Sequence, residues 1–416
     1  MHGVRTEQAN KMKLLRGGRI QTNGRSAPER REILIADNGC ITALLKPGEV
    51  VADAASIDLD GKLVVAGLVD AHQHLDKSHT LPDVPNPQGT LESAIAAFNQ
   101  YAARMTHEEI ARHAERTLHA CMTRGTVAIR THVNIDTECR LRNIEALLDV
   151  RERWRDRVQL QIVAFLTSGG PNAPEAADWL ATALDAGVDV IGGTPNRASD
   201  PERFLDMLFD AAVRSGRPID LHLDEHLDPS MQHFEGVIRR TRTLGLAGRV
   251  VASHCSVLSA LPPDDAQRLI DGFAEAGIGV VTLPAANLFL QGRHADRLAP
   301  RGLTRVNELA KAGVTVACAS DNIRDPFVPT GSGDMLEIAR WTLLAAHMGS
   351  GDLGRAFDMV TDNPARLLGI DHDYGLRSGA RADLLITDAH DAADLVAGGS
   401  LERAVLFAGK LVAGRL

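Results

Sequence analysis

Leu68-Val69-Asp70-Ala71-His72-Gln73-His74 is a short apolar run that ends in two histidines one residue apart. Side chains alternate along a strand, so His72 and His74 share one face at its end. Seven more runs follow the same plan, apolar and rich in strand formers, then closed by a turn or polar cluster. They are Val127–Val133, Leu160–Phe165, Val188–Ile191, Ile219–Leu223, Val250–Ser253, Gly279–Leu283 and Val314–Ala319. Between most of them lie stretches of helical period, among them Ile110–Met122, Ile144–Arg153, Ala176–Ala186, Phe204–Val213, Ala266–Ala276 and Val306–Ala312. Gly125, Gly187, Gly216, Gly277 and Gly313 stand just past such helices, where a left-handed residue ends them. Strand then helix, repeated eight times over about 250 residues, predicts an α/β protein built on a parallel (β/α)8 TIM-type barrel.

The flanks have a different rhythm. Short strands with turn signals, such as Ile33–Ala36, Asp37-Asn38-Gly39 and Ile41–Leu44 on one side and Leu384–Thr387, Ala404–Phe407 and Lys410–Val412 on the other, predict that the terminal segments pair into a small β-sandwich. The expected division is 1–65 with 366–416 as the sandwich and 66–365 as the catalytic barrel.

With 416 residues, 44% of them hydrophobic, the chain is ordinary globular material with enough apolar surface for a large core. Its 45 Lys and Arg against 54 Asp and Glu leave a net charge of -9, without the one-sign basic field that nucleic acid binding needs. Ala276–Leu290, the longest uncharged stretch, falls short of the roughly 20 residues of a membrane span and is interrupted by Pro284 and Asn287. Met1–Asn10 has no apolar segment followed by a small-residue cleavage site, and the expectation is a cytoplasmic protein. Cys40, Cys121, Cys139, Cys255 and Cys318 are odd in number and never spaced as CxxC, which favours reduced thiols over disulfides or a thiolate metal cluster.

In such a barrel the chemistry sits at the C-terminal ends of the strands. Those ends are loaded here: His72-Gln73-His74-Leu75-Asp76-Lys77 after the first, Arg130-Thr131-His132 at the second, His222-Leu223-Asp224-Glu225 at the fifth, Ser253-His254 at the sixth and Ser320-Asp321-Asn322 at the eighth. An isolated HxH pair is weak evidence for a metal. Joined by His222 and Asp321 at the same mouth, it forms a three-histidine, one-carboxylate shell suited to one divalent ion, Zn2+ or Fe2+. Such an ion lowers the pKa of its water from about 15.7 toward 7, and the protein must then move a proton. Asp321 is expected to ligate the ion and take that proton, Glu225 to protonate a ring nitrogen of the substrate, and His254 to donate a hydrogen bond to the hydroxide or developing oxyanion. His132 reads as support behind the ligands.

The chain resembles the amidohydrolase superfamily, in the branch of bacterial cytosine deaminase and N-isopropylammelide isopropylaminohydrolase. The general signals are Val65-Ala66-Gly67-Leu68-Val69-Asp70-Ala71-His72-Gln73-His74, Asn363-Pro364-Ala365-Arg366-Leu367-Leu368-Gly369 and Gly379-Ala380-Arg381-Ala382-Asp383-Leu384-Leu385-Ile386. Leu160-Gln161-Ile162-Val163-Ala164-Phe165, His222-Leu223-Asp224-Glu225, Ala252-Ser253-His254 and Asn287-Leu288-Phe289-Leu290-Gln291-Gly292-Arg293 resemble cytosine deaminase. His74-Leu75-Asp76-Lys77 and Ala319-Ser320-Asp321-Asn322-Ile323-Arg324-Asp325 resemble the ammelide enzyme. The resemblance implies His72, His74, His222 and Asp321 as metal ligands, Glu225 and His254 as catalytic groups, and Gln161 as the reader of the ring's amide edge. Asn322 stands where cytosine deaminase has a second Asp, so one charge fewer faces the substrate. Val190–Asn196 contains no lysine, which removes the carbamylated bridge of binuclear members and leaves one ion.

The expected activity is therefore a metal-dependent deaminase. Metal-bound hydroxide would remove an exocyclic amino or alkylamino group from a small cytosine-, triazine- or pterin-like heterocycle. Hydrolysis of a cyclic amide with ring opening is the alternative, and a non-catalytic scaffold of the same fold is the third reading. The partner is a small heterocycle rather than nucleic acid or membrane, and a homo-oligomer is left open. Lys77 and Arg324 are candidates to face an anionic or carbonyl-rich substrate.

Overall fold

The computed structural model describes residues 12–49, 51, 53–296 and 301–416. The reading of Met1–Asn10 and the first residues of the 1–65 segment lie outside the described residues. Eight parallel strands follow one another around a barrel in chain order: Leu68–Gln73, Thr126–Ile135, Gln159–Leu166, Val190–Gly193, Ile219–Leu223, Val250–His254, Gly279–Thr282 and Val316–Cys318. All ten residues of the second strand are buried, as expected for a sheet covered by helices outside and packed side chains inside.

The helices between them follow their sequence signals. In His107–Thr123, Thr106 and Glu109 form a reciprocal capping box, and Ile110, Ala114, Leu118 and Cys121 put one buried stripe on the barrel. Pro201–Ser215 starts on an Asp200 cap and stops at Gly216, whose φ of 71° lets the chain turn left-handed. No helix among the described residues is long and apolar enough to cross a membrane.

The barrel is closed lightly. Between the first and eighth strands there is one isolated parallel bridge, Gln73 to Asp321, with Asp321 N donating to His72 O at 2.9 Å. The buried Asp70 carboxylate sews the rest of this seam by accepting from Ser320 N (3.1 Å) and Ser320 Oγ (2.5 Å), and it also accepts from Gln73 Nε2 (2.7 Å) on its own strand. Asp70→Ala strands these donors and is expected to cost about 3 kcal/mol, read as a lower urea midpoint with an unchanged slope. An unmoved midpoint would remove Asp70 from the closure.

The terminal segments form the expected sandwich. A four-stranded sheet (Lys13–Arg16, Glu32–Ile35, Ile41–Leu45, Ala55–Asp58) faces a six-stranded one that mixes both ends of the chain, Leu63–Ala66 pairing with Leu384–Thr387. Leu15, Ile33, Ile35 and Ile41 pack against Ile20, Val64, Leu384 and Ile386 in a separate core. The 365/366 division falls inside a continuous helix, Asp362–Leu368, that packs against the first and eighth barrel strands, and Ala392–Ala397 packs on helices outside the barrel. The C-terminal segment is thus shared between both bodies.

Candidate metal centre

Where the strands end, polar side chains converge. His74 Nε2 lies 3.4 Å from His72 Nε2 and 3.1 Å from His222 Nε2, and Asp321 Oδ1 lies 3.2 Å from His74 Nε2 and 3.6 Å from His72 Nε2. Three imidazoles and one carboxylate from the first, fifth and eighth strand ends thus meet, although His74 and Asp321 lie just beyond the strands themselves. A register irregularity between Asp70 and Gln73 accompanies the point where the two histidines turn inward.

These separations test the fit of an ion. A tetrahedron with bonds of about 2.0–2.1 Å has edges of about 3.3–3.4 Å. His72, His74 and Asp321 stand near that spacing from one another, and His222 Nε2 stands near it from His74 Nε2. His74 Nδ1 donates to His132 O at 3.1 Å, so its Nε2 presents a lone pair, and Asp321 Oδ1 has no hydrogen-bond partner. Burial, with His132, His222 and His74 as cationic neighbours for His72, holds the ring pKa of His72 well below its ordinary value; His74 and His222 are lowered in the same direction, burial first. Neutral imidazoles packed against a carboxylate oxygen are what a divalent ion needs. The residues fit the group.

His222 stacks on Phe165 at 4.0 Å between ring centres, and His132 stacks on His72 at 3.8 Å. His132 is fully buried with neither ring nitrogen hydrogen-bonded, a wall of the site. Glu225 reaches to 3.6 Å from His254 Nδ1. Burial, then the Asp321 charge, pushes the Glu225 carboxyl well above its ordinary pKa, which favours its acid form. Burial takes His254 down to about 4, against the opposing pull of Asp321. Asn287 Nδ2 donates to His254 Nδ1 at 3.0 Å, leaving the imidazole proton on Nε2, which has no partner. Asp224, His254 and Asp321 all have φ between 53° and 67°, the left-handed region that costs a non-glycine residue roughly 1 kcal/mol. Such strain clusters where side chains must be aimed.

Above the donors lies a cavity of about 610 Å³, counted to its open mouth. His74, His222, Glu225, His254, Asp321 and Asn322 all line it. Asn322 Nδ2 donates to Asp325 Oδ2 at 2.6 Å, which leaves its Oδ1 as an acceptor. Lys77, with only 3% exposure, also lines the cavity: Nζ donates to Asn134 Oδ1 at 2.8 Å and lies 5.4 and 5.2 Å from the Phe98 and Phe327 ring centres. Among the described residues no carboxylate is ion-paired with it. Arg324 is exposed and does not line the cavity.

Gln161 is a correction. It stands four residues before Phe165 on the third strand, about 13 Å below the mouth at 3.3 Å per residue. Its Oε1 accepts from Arg130 Nε and Nη2, and its Nε2 donates to Leu368 O at 2.9 Å. It faces the barrel floor and cannot read a ring at the mouth. The third strand instead brings Phe165 and, just after its end, Thr167 and Ser168 to the cavity, positions that counting along the strand could have found.

Residues 55–186 and 86–413 match the Amidohydrolase family. The chain is 33% identical over 386 residues, 92% of its length and 88% of the relative's, to a pterin deaminase of Rhizobium rhizogenes. It is 33% identical over 341 residues, 80% and 81% of the two lengths, to an N-isopropylammelide isopropyl amidohydrolase of Pseudomonas sp.. The crystal structure of a 5-methylcytosine deaminase from Klebsiella pneumoniae liganded with 5-fluorocytosine superposes with a TM-score of 0.90 at 32% identity, covering 97% of this chain and 98% of that one.

Proposed function

The chain belongs to the amidohydrolase family, and from that premise we propose that it is a divalent-metal aminohydrolase that removes an exocyclic amino or alkylamino group from a small nitrogen heterocycle. The observation that carries the reading is Glu225, a buried carboxyl with a raised pKa, lining the same cavity as His74, His222 and Asp321. His72, His74, His222 and Asp321 would hold that ion, with Zn2+ or Fe2+ the species suited to three nitrogens and one oxygen. When bound, it supplies an activated water and Lewis acidity at the amidine carbon.

The rest falls to the chain's own groups. Asp321, turned to the ion through Oδ1, would take a proton from the attacking water through its other carboxylate oxygen. Glu225 gives its proton to the ring nitrogen, so that the C–N double bond opens as the C–O bond forms. The Nε2–H of His254 donates to the oxygen as negative charge builds there. The proton held by Asp321 then leaves on the exocyclic nitrogen, which departs as ammonia or an alkylamine, while the attacking oxygen gives its remaining proton back to Glu225 as the C–O double bond forms. Asn322 Oδ1 accepts from a ring N–H, and Phe98 and Phe327 give the ring apolar surface.

Lys77 supplies the charge that a ring oxygen or carboxylate of the substrate would meet. Lys77→Met is expected to raise KM and to lower kcat/KM by about 10–100-fold, the worth of one hydrogen bond from a charged donor, with metal content unchanged. An unaltered kcat/KM would take Lys77 out of substrate recognition.

The test of the function is a panel of amino-substituted pyrimidines, triazines and pterins incubated with the metal-loaded protein, with ammonia or amine and any new carboxylate both measured. Release of amine with the ring intact is expected. A new carboxylate without amine would move the reading to ring opening, and no turnover by metal-loaded protein would end it.

A further inference from the structure

Behind His72, away from the cavity, runs a polar chain that the proposed chemistry does not use. Gln161 Nε2 is anchored to Leu368 O, and its Oε1 receives Arg130 Nε and Nη2 at 3.1 and 3.0 Å. Arg130 also holds Leu367 O at 3.0 Å and donates from Nη1 to Asp220 Oδ2 at 2.9 Å. Ser253 Oγ donates to Asp220 Oδ1 at 2.9 Å and lies 3.0 Å from His72 Nδ1. Arg130 is 1% exposed, and Asp220, Ser253 and His72 are 0% exposed.

A buried arginine–aspartate pair is a poor device for stability alone, because apolar residues of like volume commonly serve as well or better. Its consequence for direction is sharper. Asp220, paired to a guanidinium, can only accept. Ser253 has one hydroxyl hydrogen, and that hydrogen goes to Asp220. Its oxygen then faces His72 Nδ1 with lone pairs alone, so Nδ1 must carry the imidazole proton. The lone pair of His72 is thereby fixed on Nε2, the atom beside His74 Nε2 and Asp321 Oδ1. His74 reaches the same state by donating Nδ1–H to the His132 carbonyl, whereas His222 Nδ1 has no partner.

We infer that Gln161, Arg130, Asp220 and Ser253 form a positioning relay that locks His72 in its Nδ1–H form and so sets the affinity of the site for its ion. The inference rests on the ligand assignment proposed above. Gln161 then acts from the barrel floor, by holding the guanidinium plane that aims at Asp220.

The test is a competition titration of Zn2+ between a chromophoric chelator and the metal-free protein, so the readout is a dissociation constant rather than turnover. Ser253→Ala is expected to weaken binding by about 10–100-fold, the usual effect of losing such an outer partner. Ser253→Cys keeps the bulk with a far weaker acceptor and is expected to weaken it likewise, which preserves the test if the alanine variant does not fold. Ser253→Thr keeps the hydroxyl but adds a methyl to a filled core. It should bind more tightly than the alanine variant if direction matters, and no better if only packing does. Wild-type affinity in both the alanine and cysteine variants, or a threonine variant no better than alanine, overturns the relay. His72→Ala separates the two readings: loss of the ion there with unchanged Ser253 variants rejects the relay alone, while wild-type affinity in His72→Ala rejects the ligand assignment beneath it.

Discussion

Glu225→Gln is expected to lower kcat by about 10²–10⁴-fold while the protein keeps its divalent ion, the range a positioned proton donor contributes. The substitution preserves shape and removes only the proton, since Glu225 sits 3.6 Å from His254 Nδ1 and outside the four-donor cluster. The sign of the pH effect follows from its environment. Burial and the Asp321 charge raise the Glu225 pKa, so the acid form persists to higher pH than in an ordinary glutamate and the wild-type rate falls on the alkaline side as that proton is lost. His254, down at about 4, is neutral throughout that range and adds no limb there. The variant should therefore lose both rate and the Glu225-dependent alkaline limb. Measurement of kcat against pH with metal analysis of the same samples decides it: turnover within threefold of wild type would end the assignment.

His74→Ala should abolish stoichiometric metal and reduce turnover by about 10³-fold or more, several kcal/mol of transition-state stabilisation. His74 is chosen because its Nε2 lies within 3.4 Å of His72 Nε2, His222 Nε2 and Asp321 Oδ1, the other three proposed ligands. A second readout does not depend on substrate. His72 and His74 come from the first strand and Asp321 from the eighth, so an ion held by them would bridge the lightly hydrogen-bonded seam. At an ion concentration 1,000 times its dissociation constant, binding adds about 4 kcal/mol to wild-type stability. In a chain of this length that corresponds to roughly 5 °C in Tm, lost on adding a chelator and restored on adding metal. The alanine variant should show no such response. A variant that still gained several degrees from Zn2+ would show the ion to be held elsewhere.

The barrel was legible because each strand carries its own run of apolar residues and several helices their own caps, which are local signals. Leu91–Ala102, Phe234–Thr243 and Met335–Ala345 were not singled out among the expected helices, although Thr90 and Asp334 cap two of them. Phe234–Thr243 is dense in Arg and Thr, and only packing against its neighbours exposes its buried stripe of Phe234, Val237, Ile238 and Thr241. At the site, strand-end position singled out His72, His74, His222 and Asp321, whose donor atoms lie 3.1–3.6 Å apart in the pairs around His74 and between His72 and Asp321. The same logic misplaced Gln161, because motif likeness gave it a role while its depth along the strand was left uncounted. Lys77 could be marked only as a candidate because Asp76 stands beside it in sequence. In space Asp76 turns to Asn134 N and Asn143 Nδ2 instead, and the ammonium is left to the cavity.

Asp224, His254 and Asp321 bend the chain leftward at the strand ends. Aspartate and histidine are among the few residues other than glycine that tolerate this geometry with modest strain, while β-branched residues do not. Any redesign of the mouth for a new reaction therefore works with a short alphabet at these corners. Glycine or asparagine would keep the path of the backbone but surrender a working group, and valine or threonine would unseat the loop before its chemistry could be judged.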